Sequence, residues 1–273
     1  LCSLVACASL ATSSASVYRV SMHFPRIRDK ALWTNAFLND ISKEKDMQKC
    51  TFNIDAVITL LSEATTLGLA TGGTMLPLYE AMRKDPEAWA DKTTFNLDEY
   101  YPIEHDDPQS YHAYMKKELL DHVPVQQWDI PDGEADDPDT ECERYENAIS
   151  AAGGIDIQVL GIGSNGHIGF NEPGTSFDSR THVVILSEQT RKHNARFFRD
   201  GGVPVRAITM GLATIMEARK IILIATGKNK AEAVQKMLEG PITEDVPASI
   251  LQRHPDCTVF LDEEAAALLE ETP

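Results

Sequence analysis

From about Asn53 onward, short apolar runs alternate with amphipathic segments. The runs Thr66 to Ala70 (TLGLA), Thr93 to Leu97 (TTFNL), Ile155 to Gly161 (IDIQVLG), Thr181 to Leu186, Arg206 to Met210, Ile221 to Ala225 (IILIA) and Cys257 to Leu261 (CTVFL) read as strands. Several are apolar throughout, as strands covered on both faces tend to be. The intervening segments read as helices: Ile54 to Ala64 behind a candidate cap at Asn53, Pro108 to Asp121, Asp139 to Ala152 stopped by Gly153-Gly154, and Lys228 to Glu239. In Pro108 to Asp121, Tyr111, Tyr114, Met115 and Leu119 share one face at helical spacing. Strand alternating with helix predicts an α/β fold: an open, mostly parallel, doubly wound sheet with helices on both faces, Rossmann-like in kind.

The first residues break this pattern. LCSLVACASLATSSAS is small and apolar, without a basic start, and its apolar run before Cys7 is too short for a secretory core. Residues 1–23 are therefore expected to be an extension and residues 24–273 a single α/β domain, although SVYRVSMHF is a candidate first strand. The acidic run Asp129 to Asp139 is expected to be a surface loop.

A formal net charge of -17 excludes a broadly basic nucleic-acid or anionic-membrane surface. No apolar run is long enough to span a bilayer. Five widely spaced cysteines without a CxxC pair point to reduced thiols and a cytoplasmic protein rather than a disulfide scaffold or zinc site.

In open α/β sheets, ligands bind beyond the carboxyl ends of the strands, and the chemically unusual residues cluster there. Thr71-Gly72-Gly73-Thr74 follows TLGLA and can offer backbone N–H groups, hydroxyls and a helix start to an anion; it is equally a tight turn. Asp98-Glu99-Tyr100 follows TTFNL and places a carboxylate that is either a base or a turn residue. Gly161 to Pro173 (GIGSNGHIGFNEP) carries four glycines in its first nine residues, with His167 as an acid–base group and Glu172 to orient and polarise it. Lys230, after IILIAT, and Arg196, in NARFF, are cations able to hold a phosphate in an otherwise acidic chain; singly, each is an ordinary surface charge.

LGLATGGTMLPLYEAM, FNLDEYYPIEHDDPQSYHAYM, GIGSNGHIGFNEPGTSFDSRTH, LSEQTRKHNARFF, AITMGLATIMEARKIILIATGKNKAEAV and PASILQRHPDCTVFLDEEA occur in order between about Thr66 and about Leu269. Together they resemble the glucosamine-6-phosphate deaminase (isomerase) family. The resemblance implies conversion of glucosamine 6-phosphate and water to fructose 6-phosphate and ammonia, without metal or organic cofactor. It assigns Asp98 to proton transfer between C2 and C1, and His167 with Glu172 to ring opening. Asn165 stands where some members have Asp, which leaves Glu172 as the sole carboxylate behind the histidine. The phosphate ligands carried over are Gly73, Thr74, Arg196 and Lys230, within the wider cradle Thr71 to Thr74. The partner implied is a small amino-sugar phosphate, with a homo-oligomer possible because the family holds monomers and hexamers.

Members activated by an acetylated amino-sugar phosphate carry basic residues after SRT, where this chain has His182 and Val184; no such activation is expected. A lid around Tyr145 to Gly154 is a further expectation. The competing readings are a hydrolase of the related 6-phosphogluconolactonase type, which lacks the DEYY and GFNEP context, and a sugar-phosphate sensor without turnover, which has no use for an acid–base set.

Overall fold

The computed structural model describes residues 16–23, 46–51 and 54–270, except 189, 192–194, 196, 197 and 199–201. The main sheet has eight strands in the order β2-β1-β11-β10-β7-β3-β4-β6. Six of them run parallel: β11 (Asp256–Asp262), β10 (Lys220–Ala225), β7 (Ile157–Leu160), β3 (Thr66–Leu69), β4 (Thr93–Asn96) and β6 (Gln127–Asp129). Strands β1 (Ser16–His23) and β2 (Asp46–Thr51) extend this sheet antiparallel beside β11. Part of the stretch read as an extension thus has the backbone of a strand, the alternative that SVYRVSMHF suggested. Asn53, the expected cap, lies outside the described residues.

The apolar runs became strands because they are covered on both faces. Every residue of β3 and β7 is buried, as are the five residues Ile221 to Ala225 of β10. Helices α1 (Ile54–Ser62), α2 (Leu76–Met82), α3 (Tyr111–Met115), α4 (Pro138–Ala151), α5 (Leu212–Met216) and α6 (Ala231–Glu239) alternate with the strands. The expected helix over Pro108 to Asp121 starts at Ser110, whose hydroxyl accepts from Ala113 N, and ends as a wider π-helical turn, Lys116–Leu120. Gly68 is required by packing: a Cβ there would lie 2.0 Å from Oε1 of Gln158, its partner on β7.

Two expected strands of the main sheet belong elsewhere. β8 (His182–Ile185) and β9 (Arg206–Thr209) form a separate antiparallel sheet with β5 (Asp98–Tyr101), in the order β5-β9-β8. Leu97 joins the two sheets: its N–H donates to Leu69 O at 3.0 Å, and its carbonyl accepts from Met210 N at 2.8 Å. No helix among the described residues is long and apolar enough to cross a membrane.

Candidate active site

From β3, the chain adds β4 and β6 on one side and β7, β10 and β11 on the other. The direction of growth reverses between β3 and β7, where two connections leave the sheet in opposite senses and open a crevice. Thr71 to Thr74 follows β3 and the glycine-rich loop follows β7, so both border this crevice. Asp98 follows β4, and Lys230 follows β10, the next strands outward.

The turn after β3 depends on Gly72, whose φ of 105° lies where side-chain-bearing residues are strained. Gly73–Met75 is a short 3-10 turn leading into α2, with Pro77 in the first helical turn. Among the described residues, no atom beyond the chain neighbours lies within 4 Å of a Cβ built on Gly72 or Gly73, so a ligand can approach the backbone closely. Behind the turn, the Tyr114 hydroxyl donates to Gly72 O at 3.0 Å and fixes the peptide.

In the loop after β7, Asn165 rather than Glu172 touches the histidine. His167 Nδ1 lies 2.7 Å from Asn165 Oδ1, and Asn165 Nδ2 donates to Glu172 Oε2 at 2.7 Å. The direct separation of His167 Nδ1 from Glu172 Oε2 is 3.8 Å, beyond a hydrogen bond. A carboxamide can accept at one end and donate at the other, so it relays the carboxylate's polarisation through two hydrogen bonds. Because Asn165 Oδ1 can only accept, His167 Nδ1 is the donor of this contact, and Nε2 is the acceptor nitrogen whenever the ring is neutral. Glu172 is the carboxylate behind His167 among the described residues, and its support passes through Asn165, which carries the contact. Two residues close the chain behind it. Thr190 Oγ1 donates to Glu172 Oε1, and Ser187 Oγ donates to Thr190 Oγ1 at 3.0 Å.

Asp98 is no turn residue. It opens β5, opposite Thr209 of β9, and is almost wholly buried. Its Oδ2 lies 3.5 Å from where a Cβ on Gly169 would stand, which sets the carboxylate against the loop that carries His167. Burial, and then the neighbouring Glu99 carboxylate, push its pKa from 3.8 up to about 8. Glu99 is raised by burial to about 7, against the pull of three backbone donors, Tyr111 N, His112 N and Tyr100 N. It receives these at 2.9, 2.8 and 2.8 Å, which ties the start of α3 to β5.

Lys230 closes the 3-10 turn Lys228–Lys230, whose preceding Gly227 N–H donates to the Asp262 carboxylate. Desolvation lowers its pKa, and among the described residues no carboxylate forms an ion pair with it. A half-buried lysine without a counter-charge favours an incoming anion.

The family model of "Glucosamine-6-phosphate isomerases/6-phosphogluconolactonase" matches residues 45–260. The chain belongs to this family. A glucosamine-6-phosphate deaminase of Exiguobacterium sibiricum is 55% identical over 210 residues, covering 77% of this chain and 83% of its own. A glucosamine-6-phosphate deaminase of Bacillus cereus is 46% identical over 232 residues, with 85% and 88% covered. A solved monomeric glucosamine-6-phosphate deaminase superposes with a TM-score of 0.75 at 48% identity, over 79% of this chain and 95% of its own. The 6-phosphogluconolactonase of Trypanosoma brucei has a TM-score of 0.65 at 22% identity, over 79% and 92%, a likeness of fold.

Within this family frame, Asp98, Asn165, His167 and Glu172 lie on the loops and strand ends bordering the crevice, with Thr71 to Thr74 and Lys230. Arg196 lies outside the described residues. The segment expected to be a lid is anchored in the core: Tyr145 on α4 is fully buried and donates to Asn96 O at 2.6 Å. Thr190 and Ser187 escaped sequence reading, because a hydroxyl far along the chain from the histidine carries no local signature. Glu99 was legible as part of DEY, but its role in holding α3 was not. Among the described residues, His105, Asp132 and Glu134 form a group of possible metal ligands. The carboxylates sit against opposite ring nitrogens, at 2.9 and 3.0 Å, rather than converging on one side. The group shares no residue with the strand-end site.

Proposed function

We propose that the chain turns glucosamine 6-phosphate and water into fructose 6-phosphate and ammonia, with Asp98, His167, Asn165 and Glu172 as its acid–base set. The observation that carries this reading is the juxtaposition, across Gly169, of a buried proton-holding carboxylate with the histidine relay. Sugar isomerisation needs two proton shuttles of different basicity close together, one for oxygen and one for carbon.

Backbone N–H groups of Gly72 and Gly73, the Thr71 and Thr74 hydroxyls, Lys230 and Arg196 hold the 6-phosphate. Nε2 of His167 takes the proton of the C1 hydroxyl and hands it to the ring oxygen as the bond from C1 to that oxygen breaks, opening the ring to the aldehyde. The Asp98 carboxylate removes the proton from C2 and returns it to C1, while the aldehyde oxygen gains the proton that the amine nitrogen gives up, so the amino aldehyde becomes a ketose imine with a C1 hydroxyl. Water adds to C2, the C–N bond breaks and ammonia leaves. Asp98 must be ionised to begin, so its raised pKa gives a base strong enough for a carbon acid yet still available near neutrality.

Membership of a family that also holds lactonases makes a hydrolase the second reading. The likeness to solved lactonases extends only to fold, whereas deaminases match at about half identity. The 48% identical relative is monomeric, and we propose a monomer here instead of the oligomer that the resemblance allowed. The phosphorylated substrate and the free, buried Cys142 and Cys257 support a cytoplasmic setting.

The test follows ammonia and fructose 6-phosphate together from glucosamine 6-phosphate. Equal amounts of both, abolished in His167→Ala and Asp98→Asn, is the expected result. A folded protein that releases no ammonia but hydrolyses 6-phosphogluconolactone would replace this reading with the hydrolase.

A further inference from the structure

We propose that Thr190 is a positioning residue of the ring-opening relay, acting through Glu172; this rests on the deaminase reading of the same site. Glu172 has two carboxylate oxygens with separate duties. Oε2 accepts from Asn165 Nδ2 at 2.7 Å, and Oε1 accepts from Thr190 Oγ1.

A hydroxyl has one proton and can rotate it between acceptors. At Thr190 that choice is removed. Ser187 Oγ donates to Thr190 Oγ1 at 3.0 Å, so the threonine oxygen is already an acceptor and its proton goes to Glu172. Ser187 in turn receives Thr190 N at 3.1 Å, and its carbonyl receives Arg191 N at 2.9 Å, which holds the backbone of this turn. The donors therefore point one way on each side of the carboxylate: Ser187 to Thr190 to Glu172 from one end, His167 to Asn165 to Glu172 from the other. Both chains terminate on the Glu172 carboxylate.

The consequence is orientation. With Oε1 pinned, the carboxylate plane cannot turn, so Oε2 stays aligned with Asn165. Asn165 then keeps its oxygen toward His167 and its amide toward Glu172, the only orientation that satisfies both partners. His167 is thereby fixed as the Nδ1–H tautomer, with Nε2 as the base. Without the Thr190 hydroxyl, Glu172 can rotate, Asn165 can flip, and the amide would then confront the ring N–H.

The experiment compares wild type, Thr190→Val and Thr190→Ser. It measures kcat and KM for glucosamine 6-phosphate, and the proton NMR signal of the His167 Nδ1–H, assigned by its loss in His167→Gln. Valine keeps the shape of threonine and removes the hydrogen bond. Thr190→Val is expected to lower kcat about 10- to 100-fold, the worth of a hydrogen bond to a charged group, with KM within about twofold. The Nδ1–H signal should broaden or vanish. Thr190→Ser should restore both, at an unchanged melting temperature. An unchanged kcat in Thr190→Val, or serine failing to rescue, overturns the proposal. If wild type releases no ammonia, the deaminase reading fails instead, and the signal alone decides whether Thr190 orders the relay: kept in Thr190→Val, it is overturned.

Discussion

Gly163 presents a bare α-carbon to the His167 imidazole. A Cβ on it would lie 2.2 to 2.4 Å from three ring atoms. Gly163 also donates its N–H to His167 O at 2.9 Å, so loop and side chain are folded against each other. Gly163→Ala should therefore displace the ring from Asn165. Ammonia release is expected to fall at least about 100-fold, the scale of losing a positioned acid–base group. Circular dichroism should show a folded protein, since the clash is with one half-exposed side chain.

Asp98 makes a second prediction, on stability. Its carboxyl is raised from 3.8 to about 8, so the folded protein keeps a proton that the unfolded chain gives up. The stabilising contribution of this group is complete below about pH 4 and is lost as pH rises through about 8. Asp98→Asn removes that dependence. The variant should melt several degrees above wild type at pH 9, on the order of a few kcal/mol, and the gap should narrow toward pH 4. Calorimetry across that range checks it; a gap independent of pH would remove the buried-proton account.

The same group predicts the activity profile. In the free enzyme, kcat/KM should fall as pH drops below about 8, because the protonated carboxyl cannot take the C2 proton. A flat profile between pH 6 and pH 9 would assign the carbon acid to another base.

Lys230 should act on binding. Desolvation already disfavours its charge, and a bound phosphate would compensate it. Lys230→Met is expected to raise KM for glucosamine 6-phosphate about tenfold or more while changing kcat less. Initial-rate kinetics tests this split; an effect on kcat alone would move Lys230 from phosphate to chemistry.

Regulation by N-acetylglucosamine 6-phosphate is expected to be absent. His182 Nδ1 is engaged by Arg180 O at 2.7 Å, and position 184 is Val. The neighbouring cation, Arg180, is held by Glu217 at 2.7 Å and Glu146 at 3.4 Å. A dose-dependent rate increase with the acetylated sugar phosphate would refute this.

The strand-end loops were legible because their chemistry is local: glycines, a histidine and hydroxyls directly after buried apolar runs. Partnership was not. The runs at 182–185 and 206–209 have ordinary strand composition, and nothing in their period states that they pair with Asp98–Tyr101 rather than enter the main sheet. For the same reason Asp98 read as either a base or a turn residue from its own surroundings; only the second sheet makes it the buried start of a strand. Glu172 was found from its proximity to His167 along the chain, but the intervening Asn165 contact depends on how the loop coils. Thr190 reaches Glu172 across eighteen positions of sequence and left no trace in the pattern.

Leu97 gives the molecule a gauge. The proposed phosphate cradle belongs to the large sheet and the proposed carbon base to the small one, and Leu97, with hydrogen bonds into both, helps set the span between them. A sugar held by its phosphate at one jaw presents C2 to the other only if its carbon chain fills that span. On that proposal, selection among phosphorylated sugars of different length resides in the seam between the sheets, one residue before the proposed base.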